Sequence, residues 1–266
     1  MAEAPRNRLR ELLDGQASAL GTFITLADPV AVELAGLAGF EFVVIECEHA
    51  GLSLETVQHH LRAARSRHLG TLVRVPAADQ GFVQRVLDIG ADGVLVPHIS
   101  DAAAAARAVS SVRFPPQGHR GMYLASAAAD FGAHGLAGVR ELTQALNRNT
   151  VLAVMVEEFT AVEQIDRIVA TRGIDLVVVG PSDLSASLGV IGDPKDPTLA
   201  AAIGRIFEAC HAAGVKFGMP VEHGAYRLSA AELRAHGAWF LTGGSDGVFL
   251  LNAYRASVKA HKEPGS

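Results

Sequence analysis

Cysteine is nearly missing from this chain. Cys47 and Cys210 are the only two in 266 residues, far apart and in no C-x-x-C spacing, so neither a disulfide framework nor a cysteine metal site is suggested, and a reducing cytoplasm is the compartment that fits. Lysine is also scarce. Lys195, Lys216, Lys259 and Lys262 fall in a loop, at the start of a candidate strand or in the tail, which leaves a Schiff-base mechanism without a nucleophile at any strand end. There is no basic surplus: 23 Lys and Arg face 28 Asp and Glu, a formal charge of −5, against what nucleic-acid binding usually requires. Long apolar runs are absent as well. Stretches such as LVVVG at 176–180 are far shorter than the ~18 residues of a membrane span. The opening MAEAPRNRLRELLDG lacks the apolar core and cleavage site of a signal peptide and reads as a short amphipathic helix. Neither G-x-G-x-x-G nor G-x-x-x-x-G-K-[ST] occurs.

What is present is an apolar share of 49%, enough to build a core, in a rhythm of short β-branched runs and longer Ala-, Leu- and Arg-rich stretches. Strands are expected at 21–25, 42–47, 71–75, 93–97, 151–157, 176–180, 215–219 and 239–242. Helices are expected at 53–67, 80–89, 102–112, 161–170, 197–213 and 230–235, with Asp101 and Ser229 as N-caps. Several strands are apolar at consecutive positions, as parallel strands covered on both faces are. Eight such units in about 250 residues predict an α/β fold of one domain spanning 1–266, a (β/α)₈ barrel with an added N-terminal helix and a C-terminal helix. An open doubly wound sheet is the alternative, without its usual glycine-rich loop. Residues 98–150 form a long connection read as a helix followed by an active-site loop. The tail after Asp246 carries an apolar stripe that suits packing on this barrel or on a neighbouring subunit.

In such a barrel, function gathers where the strands end. Strand two ends in Glu46-Cys47-Glu48-His49, strand three carries Arg74, strand five ends in Glu157-Glu158, and strand six leads into Gly180-Pro181-Ser182-Asp183. Glu157 and Asp183 end neighbouring strands, so their carboxylates can converge on one hard cation, with Mg²⁺, Mn²⁺ and Co²⁺ all acceptable. The plainer reading of Asp183 is a helix cap. His49, beside acids, suits a general base near neutral pH, against the alternative of a surface loop histidine. Of the 11 histidines, His59, His60, His68, His211 and His261 fall on helices or the tail and read as bland. Arg74 suits a carboxylate or a developing enolate oxygen; its alternative is a structural ion pair with Glu46 or Glu48. The segment GPSDLS offers backbone N–H groups at a helix start to a substrate carboxylate.

IECEHAGLS (45–53), LVRVP (72–76), LDIGADGVLVPHI (87–99), RFPPQGHRG (113–121), the Glu157 segment and VVVGPSDLSASLG (177–189) together resemble the HpcH/HpaI aldolases, metal-dependent class II pyruvate aldolases. The resemblance implies a (β/α)₈ barrel, assembled as a homohexamer with its last helix exchanged between subunits. It also implies reversible cleavage of a 4-hydroxy-2-oxo acid to pyruvate and an aldehyde, with a divalent metal as cofactor. By motif, His49 is the base, Arg74 stabilises the enolate, and Glu157 and Asp183 bind the metal. Backbone groups at Ser182 and Asp183 hold the pyruvate carboxylate, and Asp88, in LDIG, supports the basicity of His49. The chain departs from the family twice: Glu46 stands where Asp is common, and Met155 stands where a Gln is usual, removing an amide's hydrogen bonds near the substrate. Two rival readings are a related lyase or condensing enzyme acting on an acyl-CoA or a dicarboxylic 2-oxo acid, and a barrel that binds a keto acid or metal without turnover.

Overall fold

The computed structural model describes residues 7–15 and 17–262; the first six residues of the expected N-terminal helix lie outside these. Eight strands, β1 (Ala19–Ile24), β2 (Phe42–Glu46), β3 (Gly70–Arg74), β4 (Gly93–Val96), β5 (Val151–Val156), β6 (Leu176–Val179), β7 (Lys216–Pro220) and β8 (Phe240–Ser245), close into one barrel in sequence order. Every pairing, including β8 with β1, is parallel. The expected barrel is therefore observed, and the open sheet is excluded.

The strands are buried on both faces, and their two-residue period sorts them into two cores. Val43, Ile45, Val73, Val94, Val154 and Val177 face outward to the helices. Phe42, Val44, Leu72, Leu95, Ala153, Met155, Leu176 and Val178 fill the barrel interior together with Leu9 and Leu13. Those two leucines belong to α1 (Arg8–Asp14), which lies across the N-terminal end of the barrel. Gly21 makes room for this interior, since a Cβ there would stand 2.3 Å from the Phe42 ring.

The outer helices are α2 (Val30–Leu37), α3 (Leu54–Ser66), α4 (Gln80–Asp88), α5 (Ala102–Val112), α6 (Val139–Asn149), α7 (Phe159–Glu163), α8 (Ile165–Val169), α9 (Pro181–Ser187), α10 (Pro197–Ala213), α11 (Ala230–Ala235) and α12 (Asp246–Lys262). Asp101 and Ser229 cap α5 and α11 as expected, Ser229 within a full capping box. Three expectations fail. Helix α2 was not foreseen because its outer face is also apolar, with Val30, Leu34 and Leu37 exposed opposite buried Val32 and Ala35, so no amphipathic period announces it. The single helix expected at 161–170 is two short ones that meet at Gln164.

The third concerns the connection after β4, which holds a second full helix, α6, and is not a loop on the rim of its own barrel. Arg113, buried, donates to Thr150 O at 2.6 Å, to Gly173 O at 2.9 Å and to Asp175 at 3.1 Å, tying the segment to the N-terminal end. Farther on, Gln80 donates to His119 O at 2.7 Å and the Gly121 N–H to Gln84 at 3.1 Å, which lays the chain along α4. The polarity that made the segment look like a substrate loop serves these contacts. No helix among the described residues is long and apolar enough to cross a membrane.

Candidate active site

The inward parity of the strands carries on past their ends. Phe42 and Val44 point inward, so Glu46 does; Leu72 points inward, so Arg74 does; Ala153 and Met155 are followed by Glu157, and Val178 by Gly180. Glu46 and Arg74 are register partners across β2 and β3. Arg74 Nε donates to Glu46 Oε2 at 2.6 Å and lies 3.2 Å from Glu48 Oε2, so the expected alternative of an ion pair is realised with both acids. The pair is anchored through Nε. Its fork end meets the thioether of Met155, with Nη1 3.7 Å from Sδ, and makes no hydrogen bond to a carboxylate among the described residues.

Glu46 does not reach the His49 ring. Its Oε1 instead accepts the backbone N–H groups of Glu48 (2.7 Å) and His49 (3.0 Å), folding the loop after β2 over the rim. The longer side chain is thus spent on Arg74 and on the backbone. The His49 ring is mostly exposed, its Nε2 3.8 Å from Glu48 Oε2, an ion-pair distance too long for a hydrogen bond. Cys47, buried between these acids, is no nucleophile: burial first and the Glu46 charge second push its thiol up to about 12.

Glu157 is buried, and Gly180 is the reason its carboxylate fits. A Cβ at Gly180 would lie 2.7 Å from Glu157 Oε2 and 2.8 Å from its Cβ. Oε1 accepts the His98 N–H at 2.8 Å, while Oε2 takes no hydrogen bond from the described residues. Burial raises the Glu157 carboxyl above its usual range; the charges of Asp183 and Glu48 add to this, and His98 opposes it. Asp183 lies in the first turn of α9, where the N-cap is Gly180 with no side-chain cap bond, so the expected alternative of a capping Asp183 is not what the structure shows. Its exposed carboxylate has no hydrogen-bonded partner among the described residues. Ser182, in the same turn, lies with Oγ 3.5 Å from His223 Nε2. His223 Nδ1 accepts the Ala225 N–H at 3.2 Å, which places the ring proton on Nε2 and makes His223 the donor to Ser182.

This rim fits a hard divalent cation. Among the described residues no three His, Cys, Asp or Glu side chains already form a cage. Two carboxylates with unspent oxygens and open positions between them are the donor set of an ion that keeps several waters. A cavity of about 510 Å³ opens at the N-terminal end; among the groups lining it, Asp92 accepts from Thr71 and Arg120 donates to Asp88.

Asp88 is the expectation that one chain does not meet. It ends α4, at the N-terminal end of the barrel and so opposite His49. Its carboxylate accepts from the buried Arg120 at 2.8 Å. Two histidines were missed. His223 follows β7 in a segment with no motif. His98 stood in plain view in VPHI, yet strand parity would send it outward; its backbone, at φ 55°, breaks that parity and turns it into the rim. Its Nε2 is 3.2 Å from Glu48 Oε1, and its Nδ1 is 3.3 Å from both Glu157 and Glu158. Burial lowers the affinity of this ring for a proton, but Glu157, Glu48 and Glu158 outweigh it, so the net shift is upward.

A family model for HpcH/HpaI aldolase/citrate lyase matches residues 19–253, all eight strands included. The chain belongs to the HpcH/HpaI aldolase/citrate lyase family. It is 36% identical to a 5-keto-4-deoxy-D-glucarate aldolase of Salmonella paratyphi C, over 95% of this chain and 94% of that one. The crystal structure of an HpcH/HpaI aldolase/citrate lyase family protein from Burkholderia cenocepacia J2315 superposes with a TM-score of 0.87 at 34% identity, covering 97% of this chain and 100% of that one. The crystal structure of the citrate synthase SbnG follows at 0.84 and 30%, covering 96% and 97%. Family membership makes the chain an aldolase-type enzyme acting on carbon–carbon bonds.

Proposed function

We propose that the chain is a divalent-metal-dependent aldolase that reversibly cleaves a 4-hydroxy-2-oxo acid to pyruvate and an aldehyde. The observation that carries this is the pairing of the glycine-backed Glu157 carboxylate with the uncommitted Asp183 on the rim that also holds the fork of Arg74, which rests against Met155. Glu157 and Asp183 would hold Mg²⁺, Mn²⁺ or Co²⁺, which supplies Lewis-acid stabilisation of negative charge on the substrate oxygens. The unbonded N–H groups of Ser182 and Asp183 in the first turn of α9 receive the substrate carboxylate. His49, directly or through water, takes the C4 hydroxyl proton. The C3–C4 bond breaks, its electron pair passes into the C2–C3 bond, and the aldehyde leaves. Arg74, held rigid through Nε, turns its Nη groups to the enolate oxygen, and protonation at C3 gives pyruvate.

The 5-keto-4-deoxy-D-glucarate aldolase relative points to a polyhydroxy dicarboxylic substrate. A second reading, condensation or cleavage of another dicarboxylic 2-oxo acid, draws on the likeness to the citrate synthase SbnG. A homo-oligomer accompanies the site. Helix α12 buries none of its own residues, and Leu250, Leu251, Tyr254 and Val258 are exposed, a face suited to exchange between subunits in a hexamer. Support of His49 by Asp88 would then have to come from a second copy.

The test is exchange of the pyruvate methyl protons in D₂O, followed by NMR. Metal-stripped protein is compared with protein given each cation, with His49→Ala beside it. Cation-dependent exchange is expected; none with any cation would overturn the aldolase reading.

A further inference from the structure

His223 is the group on the rim to which bond cleavage gives no task. It stands in the turn after β7, and backbone bonds close that turn: the Val221 N–H donates to Thr242 O on β8 at 2.9 Å, Glu222 to Leu228 O at 2.8 Å and Tyr226 to His223 O at 3.1 Å. The half-buried ring is therefore carried on a fixed frame. The same frame decides which ring nitrogen bears the proton. Nδ1 accepts the Ala225 N–H at 3.2 Å, which leaves the proton on Nε2, and burial lowers the ring's affinity for a second one. Nε2 lies 3.5 Å from Ser182 Oγ, whose hydroxyl has no other hydrogen bond among the described residues. A serine hydroxyl has one proton and two lone pairs. With Nε2–H directed at a lone pair, the hydroxyl proton points away from the ring; in the other tautomer it would be spent on Nε2. Long contacts of this kind tighten when substrate binds.

We propose that His223 is a positioning residue for the substrate: its Nε2–H occupies a lone pair of Ser182 Oγ and so turns the hydroxyl proton toward the carboxylate of the 2-oxo acid. This rests on the aldolase reading above, in which that carboxylate lies against Ser182, and deepens it. One backbone donor sets the direction of the whole chain of bonds, from Ala225 N–H to Nδ1, from Nε2–H to Oγ, and from Oγ–H to the carboxylate. His223 thus acts through Ser182. Its effect falls on binding and not on bond breaking, since the carboxylate keeps the same charge in the bound substrate and in the transition state.

The test is pyruvate methyl exchange on the full chain across a range of pyruvate concentrations, with thermal melts on the same samples. A hydrogen bond to a charged group is worth on the order of tenfold or more in affinity. His223→Ala and Ser182→Ala should therefore each raise the half-saturating pyruvate concentration about tenfold, with the maximal rate within about threefold, the pattern of binding lost equally from ground and transition states. The double variant should match either single one within about twofold, because both break the same chain of bonds. His223→Gln, whose amide nitrogen can stand in for Nε2, should recover most of the affinity, whereas His223→Leu, which fills similar space without a donor, should behave like His223→Ala. Ser182 is exposed, so Ser182→Ala still decides the matter if the turn variants unfold. Half-saturation unchanged in a folded single variant, or losses that multiply in the double one, would overturn this inference while the aldolase reading stands. If the unaltered protein shows no exchange with any cation, both fall.

Discussion

Replacing Gly180 by alanine tests the site through one methyl group. The backbone there, at φ −95° and ψ 89°, is open to an L-residue, so any effect comes from what the new Cβ meets. It would meet Glu157 Oε2 at 2.7 Å, Glu157 Cβ at 2.8 Å and Met155 Sδ at 3.3 Å. Ordinary carbon contacts lie near 3.5–4.0 Å, so about 1 Å must be absorbed. The carboxylate tip can swing, but Glu157 Cβ is fixed to the end of β5, which pairs with β6 through Met155–Val178 and Val156–Val179. The strand ends must part and take the carboxylate with them. Overpacking of this kind costs roughly 1–3 kcal/mol, which in a chain of this size lowers Tm by roughly 2–4 °C for each kcal/mol. The larger effect is on the reaction, since a displacement of about 1 Å costs on the order of 10²-fold in rate. The assay is pyruvate methyl exchange with saturating Mn²⁺, with circular dichroism and thermal melts on the same samples. Gly204→Ala, inside α10 with nothing within 4 Å of the new Cβ, is the control and should be neutral or slightly stabilising. Exchange within about threefold of the unaltered protein, at unchanged Tm, would refute the placement of Glu157 as the group on which the chemistry depends.

Arg74→Ala leaves the buried Glu46 carboxylate without its cation and should cost about 3 kcal/mol in denaturant titrations, with exchange lost; Arg74→Lys should recover part of the stability but not the fork. Asp92 provides a pH signature: burial raises its carboxyl from 3.8 to about 6, so the folded state holds the proton longer than the unfolded one. Stability from this group therefore falls as pH rises from about 4 to 6, and Asp92→Asn should gain about 2 kcal/mol relative to the unaltered protein between pH 4.5 and 7.5 in urea melts. Light scattering on eluted protein should give a multiple of the 27.8 kDa chain, and Leu250→Glu with Leu251→Glu should shift it to smaller species. A monomer in the unaltered protein would overturn the assembly.

Much of this molecule was open to a reader of its sequence. The eight β-branched runs, the caps at Asp101 and Ser229 and the rim acids Glu46, Glu48, Glu157 and Asp183 obey local rules: a two-residue period, a side-chain oxygen three residues before an N–H, a strand that ends where polarity begins. Inward parity is counted along the chain, so Arg74 and Glu157 could be aimed at the axis without knowing their neighbours. What only the tertiary structure decided is who meets whom. Glu46 stands three residues from His49 in the chain, yet it is committed to Arg74 and to backbone N–H groups rather than to the His49 ring. Asp88 looked like support for His49 and is paired with Arg120, because α4 runs down the barrel while β2 runs up. His98 entered the site because one backbone dihedral left the strand's alternation. Periodicity is a property of one element at a time. Pairings between elements, and a single reversed φ, depend on how the barrel closes, and no run of residues records that.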